Sequence, residues 1–99
     1  MKNEKVILLC HFPLVPDIAD NLLNYKEVLL TLGKYQNIIA WFNGHNHAGN
    51  YGVYNKTHFV TFRGMVETQN DNSYAFVKVF TDRIEIKGYG REVSRVLPF

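Results

Sequence analysis

The apolar residues of this chain gather first into two unbroken runs, Val6 to Cys10 and Ile38 to Phe42, with a long mixed stretch between them. Runs without alternation predict strands covered on both faces, the pattern of a parallel sheet. The segment from Phe12 to Asp20 holds Pro13, Pro16, Asp17 and Asp20 and reads as a loop with turn and capping roles for its aspartates. A helix follows. Asn24 with Glu27 three positions later fits a capping box, and Tyr25, Val28, Leu29 and Leu32 recur at helical spacing up to Gly33, a suitable stop. A strand–helix–strand unit of this length predicts a right-handed crossover.

Beyond Phe42 the pattern becomes one of short strands and tight turns. Tyr51 to Tyr54 and His58 to Phe62 flank Asn55-Lys56-Thr57, and Ser73 to Phe80 and Arg83 to Lys87 flank Thr81-Asp82, so both pairs read as hairpins. Ile84 and Ile86 alternate with Arg83, Glu85 and Lys87, which leaves one face of that strand wet. Gly88-Tyr89-Gly90 reads as a bend after it, and Val93 to Phe99 as an apolar tail that docks, with Pro98 limiting any strand there. The expected fold class is α/β: one strand–helix–strand unit followed by antiparallel hairpins, in a single domain over residues 1–99.

Composition narrows the class. With 46% hydrophobic and 14% aromatic residues the chain is of globular type, long enough for a modest core. A net charge of +2, with both signs scattered and no basic run interleaved with aromatics, gives no nucleic-acid footprint. The single Cys10 excludes an intrachain disulfide and reads as a small buried residue. No apolar stretch approaches the ~18 residues of a membrane span, and no signal-peptide pattern is visible, so no membrane partner and a cytoplasmic location are expected.

The chemistry lies in the histidines. Gly44-His45-Asn46-His47 follows directly on the second apolar run, and His11 follows the first. Imidazole is the commonest protein ligand for transition metals near neutral pH. A flanking glycine lets the backbone turn sharply so that both rings can point at a metal centre. Ligand sites of open α/β sheets lie at the carboxyl ends of the strands, where these three side chains are delivered. His11, His45 and His47 are therefore the candidate metal ligands, whereas His58, at the start of a strand and outside any motif, reads as structural.

Strand-His11-x-Pro13, helix, strand-Gly44-His45-x-His47 resembles the last two motifs of the calcineurin-like metallophosphoesterases. The likeness is greatest to one branch, the manganese-dependent ADP-ribose/CDP-alcohol diphosphatases. It rests on His11-Phe12-Pro13-Leu14, Asn24-Tyr25, Phe42-Asn43-Gly44-His45-Asn46-His47, Tyr51, Gly64-Met65-Val66-Glu67-Thr68 and Lys87-Gly88-Tyr89-Gly90-Arg91. It covers nearly the whole chain but not the whole family pattern: the opening Asp-x-His, Gly-Asp-x-x-Asp and Gly-Asn-His-Asp/Glu motifs are absent. The chain thus resembles the carboxyl-terminal part of such an enzyme, half of the family's four-layer sandwich.

The resemblance implies a hydrolase in which two divalent ions, manganese first and zinc or iron otherwise, clamp a phosphate and activate water for in-line attack on phosphorus. It implies that His11 and His45 serve one ion and His47 the other, and that Asn46 and Tyr51 border a small phosphoester substrate. No catalytic residue is assigned to this chain alone, which is expected to be inactive by itself and to hold its metal weakly or not at all. An open sheet edge where the other half would lie predicts a homo-oligomer or a separate amino-terminal partner. The alternative reading is a non-catalytic interaction module that keeps the histidine set.

Overall fold

The computed structural model describes residues 4–99, and in it the two apolar runs lie side by side. Strand β1 (Val6–Leu9) pairs in parallel with β2 (Ile38–Asn43), joined through helix α1 (Tyr25–Leu32). The hairpin of β3 (Asn50–Tyr54) and β4 (Thr57–Thr61) then returns so that β4 lies parallel to β2 on its other side. This second parallel pairing was not visible in the hydrophobic pattern. The result is a four-stranded sheet in the order β1-β2-β4-β3. A second, three-stranded sheet in the order β5-β6-β7 is made by β5 (Ser73–Val79), β6 (Arg83–Gly90) and β7 (Arg95–Pro98).

These elements form three layers. Trp41, Phe59 and Leu14 pack with Tyr25, Val28, Leu29 and Leu32 of the helix on one face of the larger sheet. Ala40, Phe42 and Val60 pack against Ile84, Ile86 and Leu97 of the smaller sheet on the other. All six residues of β2 are buried, because both of its faces are covered. The register slips between Val6 and Ile7 of β1, which pair with Ile38 and Ala40, and Ile39 joins the same core cluster as Ala40.

Several local expectations are corrected. β1 is an edge strand and is not covered on both faces: Leu9 is 78% exposed. Asn24 occupies the cap position of α1 but makes no side-chain cap bond, and Gly33 closes the helix in the right-handed region at φ −62°. The start of the helix is held instead by Tyr25, whose hydroxyl donates to Asp17 at 2.5 Å. That bond, followed by desolvation and the Asp17 charge, pushes the phenol above its usual range. Gly88-Tyr89-Gly90 is not a bend after β6 but its last residues, and the tail forms β7 against it. Gly88 is required there, since a Cβ would lie 2.4 Å from the Glu92 carbonyl oxygen. The β3–β4 turn needs left-handed backbone at both Asn55 and Lys56, with φ of 50° and 65°, the geometry of a type I′ hairpin.

His58 is structural, as expected, and its task is to tie the two sheets together. It is buried on β4; Nε2 lies 2.7 Å from the Pro98 carbonyl on β7, and Nδ1 2.8 Å from the Tyr51 hydroxyl on β3. The carbonyl can only accept, so Nε2 carries the proton and Nδ1 receives the Tyr51 hydroxyl. Replacing His58 by Phe keeps the bulk and removes both bonds. It should lower unfolding stability by about 1–3 kcal/mol, whereas Tyr51→Phe should cost only about 1 kcal/mol, as read from urea denaturation midpoints.

Candidate metal centre

Because β1 and β2 run in parallel, the segments that follow them leave the sheet on the same edge. Two backbone bonds fix these segments to each other: Cys10 N–H donates to the Phe42 carbonyl at 3.0 Å, and Gly44 N–H to the His11 carbonyl at 3.2 Å. The histidine loop is anchored from below by Asn43, which is 5% exposed. Its Nδ2 donates to the Gly44 carbonyl and to Thr61 Oγ1 of β4, both at 2.9 Å.

The sharp turn does not fall on the glycine. His45 itself takes φ 69°, and Asn46 N–H donates back to the Gly44 carbonyl at 2.8 Å, so His45 is the centre of a γ-turn. A β-carbon at Gly44 would meet nothing within 4 Å. This backbone region is uncommon for a side-chain-bearing residue and costs roughly 1–3 kcal/mol. The strain has a consequence for chemistry: it turns the ring of His45 towards His11. Their rings lie 5.0 Å apart, with Phe12 packed 4.7 Å from His45, and His11 Nε2 stands 3.1 Å from His45 Nδ1. Two imidazole nitrogens on one tetrahedral ion with bonds of ~2.1 Å are separated by ~3.4 Å, so this pair is close to a ligand geometry.

His47 belongs to a different neighbourhood. Its Nδ1 contacts the carboxylate of Glu67, and the surrounding groove of about 340 Å³ is lined by Ala48, Arg63, Glu67 and Arg91. His11 and His45 are thus brought together, and His47 is held apart beside an acid. Among the described residues no group of three His, Cys, Asp or Glu side chains converges on one point. Asn46 shapes the turn, its Oδ1 accepting from Ala48 N–H at 3.3 Å. Tyr51 gives its hydroxyl to His58 and its ring to Arg95, 4.8 Å above it.

Two features escaped the sequence. Glu67 and Arg91 lie 20 and 44 positions beyond His47, and their membership of resembling segments was the one available signal. Beside His45, a cleft of about 540 Å³ is lined by Phe12, Asp20, Asn21, Leu22 and Asn24. Asn21 is 8% exposed; its Nδ2 donates to the Leu14 and Pro16 carbonyls, and its Oδ1 has no partner among the described residues.

The chain is thus a helix–sheet–sheet sandwich with imidazoles at the carboxyl edge of its parallel strands, and it has counterparts among known proteins. No protein-family profile matches the chain. It is 32% identical to the manganese-dependent ADP-ribose/CDP-alcohol diphosphatase of Homo sapiens, over 98% of this chain and 30% of that protein. It is 34% identical to the protein of the same name from Xenopus laevis, over 99% of this chain and 29% of that protein. A dimetal phosphatase from Danio rerio superposes with a TM-score of 0.91 at 26% identity, covering 97% of this chain and 32% of that one. Over nearly its whole length the chain resembles part of these metal-dependent phosphoesterases, and it spans about 30% of the length of the curated relatives it matches. No helix among the described residues is long and apolar enough to cross a membrane.

The γ-turn gives a direct test. His45→Gly removes the side chain that the left-handed backbone disfavours. It should raise unfolding stability by about 1 kcal/mol while destroying the His11–His45 pair, a gain measurable as a higher thermal midpoint.

Proposed function

We propose that this chain supplies the histidine ligands of a dinuclear centre that hydrolyses nucleoside-diphosphate-linked phosphoesters. The observation that carries the reading is the approach of His11 Nε2 to His45 Nδ1 at 3.1 Å, beside a turn in which His45 takes left-handed backbone. The donor set fits a borderline divalent ion, for which imidazole is a suitable ligand. His11 and His45 would hold one ion and His47 the other. Ions bound there supply Lewis acidity to a phosphate oxygen and to water. The chain's own residues do the rest: Phe12 walls the His45 ring, Asn43 and Thr61 hold the loop, and the cleft at Asn21 receives the non-reacting part of the substrate. Asn46, in the loop itself, borders the phosphoester.

Zinc titrated into the chain by calorimetry should bind in a histidine-dependent manner and more tightly than manganese, following ligand softness. His11→Ala and His45→Ala should each weaken binding at least tenfold. Unchanged affinity in both variants would remove the metal reading and leave a non-catalytic interaction module.

We further propose that the β1–β5 flank is completed by a partner of the kind that makes up the remaining length of the relatives. His58 and Arg95 place β7 over β4 and β3, so β5 lies on the β1 side. There Val77 and Val79, register partners of buried Ile86 and Ile84, share their inward face yet are 40% and 56% exposed. Edge strands with apolar faces seek cover. The chain studied alone should therefore pair with a second copy across this flank. Light scattering should show a mass that falls towards the monomer on dilution, and Val79→Lys should shift it to the monomer; a monomer at every concentration would refute the open flank.

A further inference from the structure

We infer that Glu67 is the positioning residue of His47: its carboxylate fixes the tautomer and direction of that ring, so that His47 offers Nε2 and not Nδ1 to a divalent cation. The inference builds on the reading of His47 as a ligand. It concerns a residue to which the motif itself assigns nothing.

The contact between Glu67 and His47 Nδ1 is a built arrangement, held from three sides. Gly64 N–H donates to the His47 carbonyl at 3.0 Å, so the segment that carries Glu67 is pinned to the backbone of the residue it serves. Gly64 also has to lack a side chain. A Cβ there would fall 2.9 Å from His47 Cγ and 3.1 Å from Glu67 Oε1, in the space where ring and carboxylate meet. From β6 and its end, Arg91 Nη2 donates to the Gly64 carbonyl at 2.7 Å and to the Met65 carbonyl at 3.3 Å. Arg91 is held in turn through its own carbonyl by Arg63, whose Nε reaches the Ala48 carbonyl at 3.2 Å, next to His47 in the chain. The smaller sheet thereby sets the position of a carboxylate against a ligand carried by the larger one.

The chemical consequence follows from donor rules. An ionised carboxylate only accepts, so Nδ1 of His47 must carry the proton and the lone pair is left on Nε2. A carboxylate on the far nitrogen of a ligating histidine fixes ring orientation and raises ligand basicity, and its loss typically costs 10–100-fold in metal affinity. His45 is arranged in the opposite sense, with Nδ1 facing His11. The two histidines of one loop thus present different nitrogens, which lets residues two positions apart serve two separate centres.

Long-range nitrogen–proton correlation spectra of the metal-free chain, labelled at histidine nitrogen, test this without any activity. His47 should be the Nδ1–H tautomer in the parent and move to the Nε2–H form in Glu67→Ala, with His11, His45 and His58 unmoved. Glu67→Gln, whose amide oxygen still accepts, should restore the parent tautomer. Gly64→Ala, which keeps the acid but displaces the ring, should behave as Glu67→Ala and covers the case in which that variant fails to fold. In a zinc titration followed at the His47 resonances, the midpoint should rise 10–100-fold in Glu67→Ala. A His47 tautomer that is the same in parent, Glu67→Ala and Gly64→Ala overturns the inference. A tautomer switch with no zinc response in the parent keeps Glu67 as the orienting group and removes the ligand reading of His47 instead.

Discussion

The site depends on the parallel alignment of β1 with β2. Parallel neighbours present the same end on the same edge, and here that edge carries His11 from one strand and His45 and His47 from the other. The alignment is enforced by burial: β2 is covered by the helix on one face and the smaller sheet on the other, so a slip of one residue would reverse Trp41 and Phe42 between two different cores. The bonds from Cys10 to Phe42 and from Gly44 to His11 carry that register beyond the last ladder pair. Without them the imidazoles would be attached to independent loops.

On this base the loop stores conformational strain in one residue. The left-handed backbone of His45 is opposed by the hydrogen bonds of buried Asn43 and by its pairing to Thr61 on β4. Buried polar groups of this kind are costly unless satisfied, and satisfied they define a single arrangement. The tension is released in a useful direction, since it turns one ring towards His11 while His47, two positions on, is taken by Glu67. One short loop therefore feeds two neighbourhoods.

The sandwich itself is asymmetric. At the β4–β7 side it is closed by His58, a buried imidazole with both nitrogens occupied. At the β1–β5 side both sheets end in edge strands, and Val77 and Val79 of β5 stay 40% and 56% exposed on the face that carries buried Ile86 and Ile84. The histidine edge is shaped by strands that the closed flank and the shared core hold in place. That asymmetry agrees with its matching about 30% of the length of its curated relatives.

Much of this was legible in the chain, for identifiable reasons. Unbroken apolar runs announce buried strands, helical spacing announced α1, and alternation at Ile84 and Ile86 announced the wet face of β6, because burial acts directly on residue type. The histidine set and its family likeness were legible because ligand chemistry also depends on residue type. What depends on distance between segments was not. The hydrophobic runs could not show that β4 would lie parallel to β2, that β1 would stand at an edge, or that the tail would become β7. Nor could they place the strained turn on His45 while Gly44 stayed unstrained, or bring Glu67 to His47 from twenty positions away. The sequence by itself determined the elements, the class and the candidate ligands; tertiary structure alone decided which ligands meet, since a contact between distant residues is fixed by how layers close and not by what any one segment prefers.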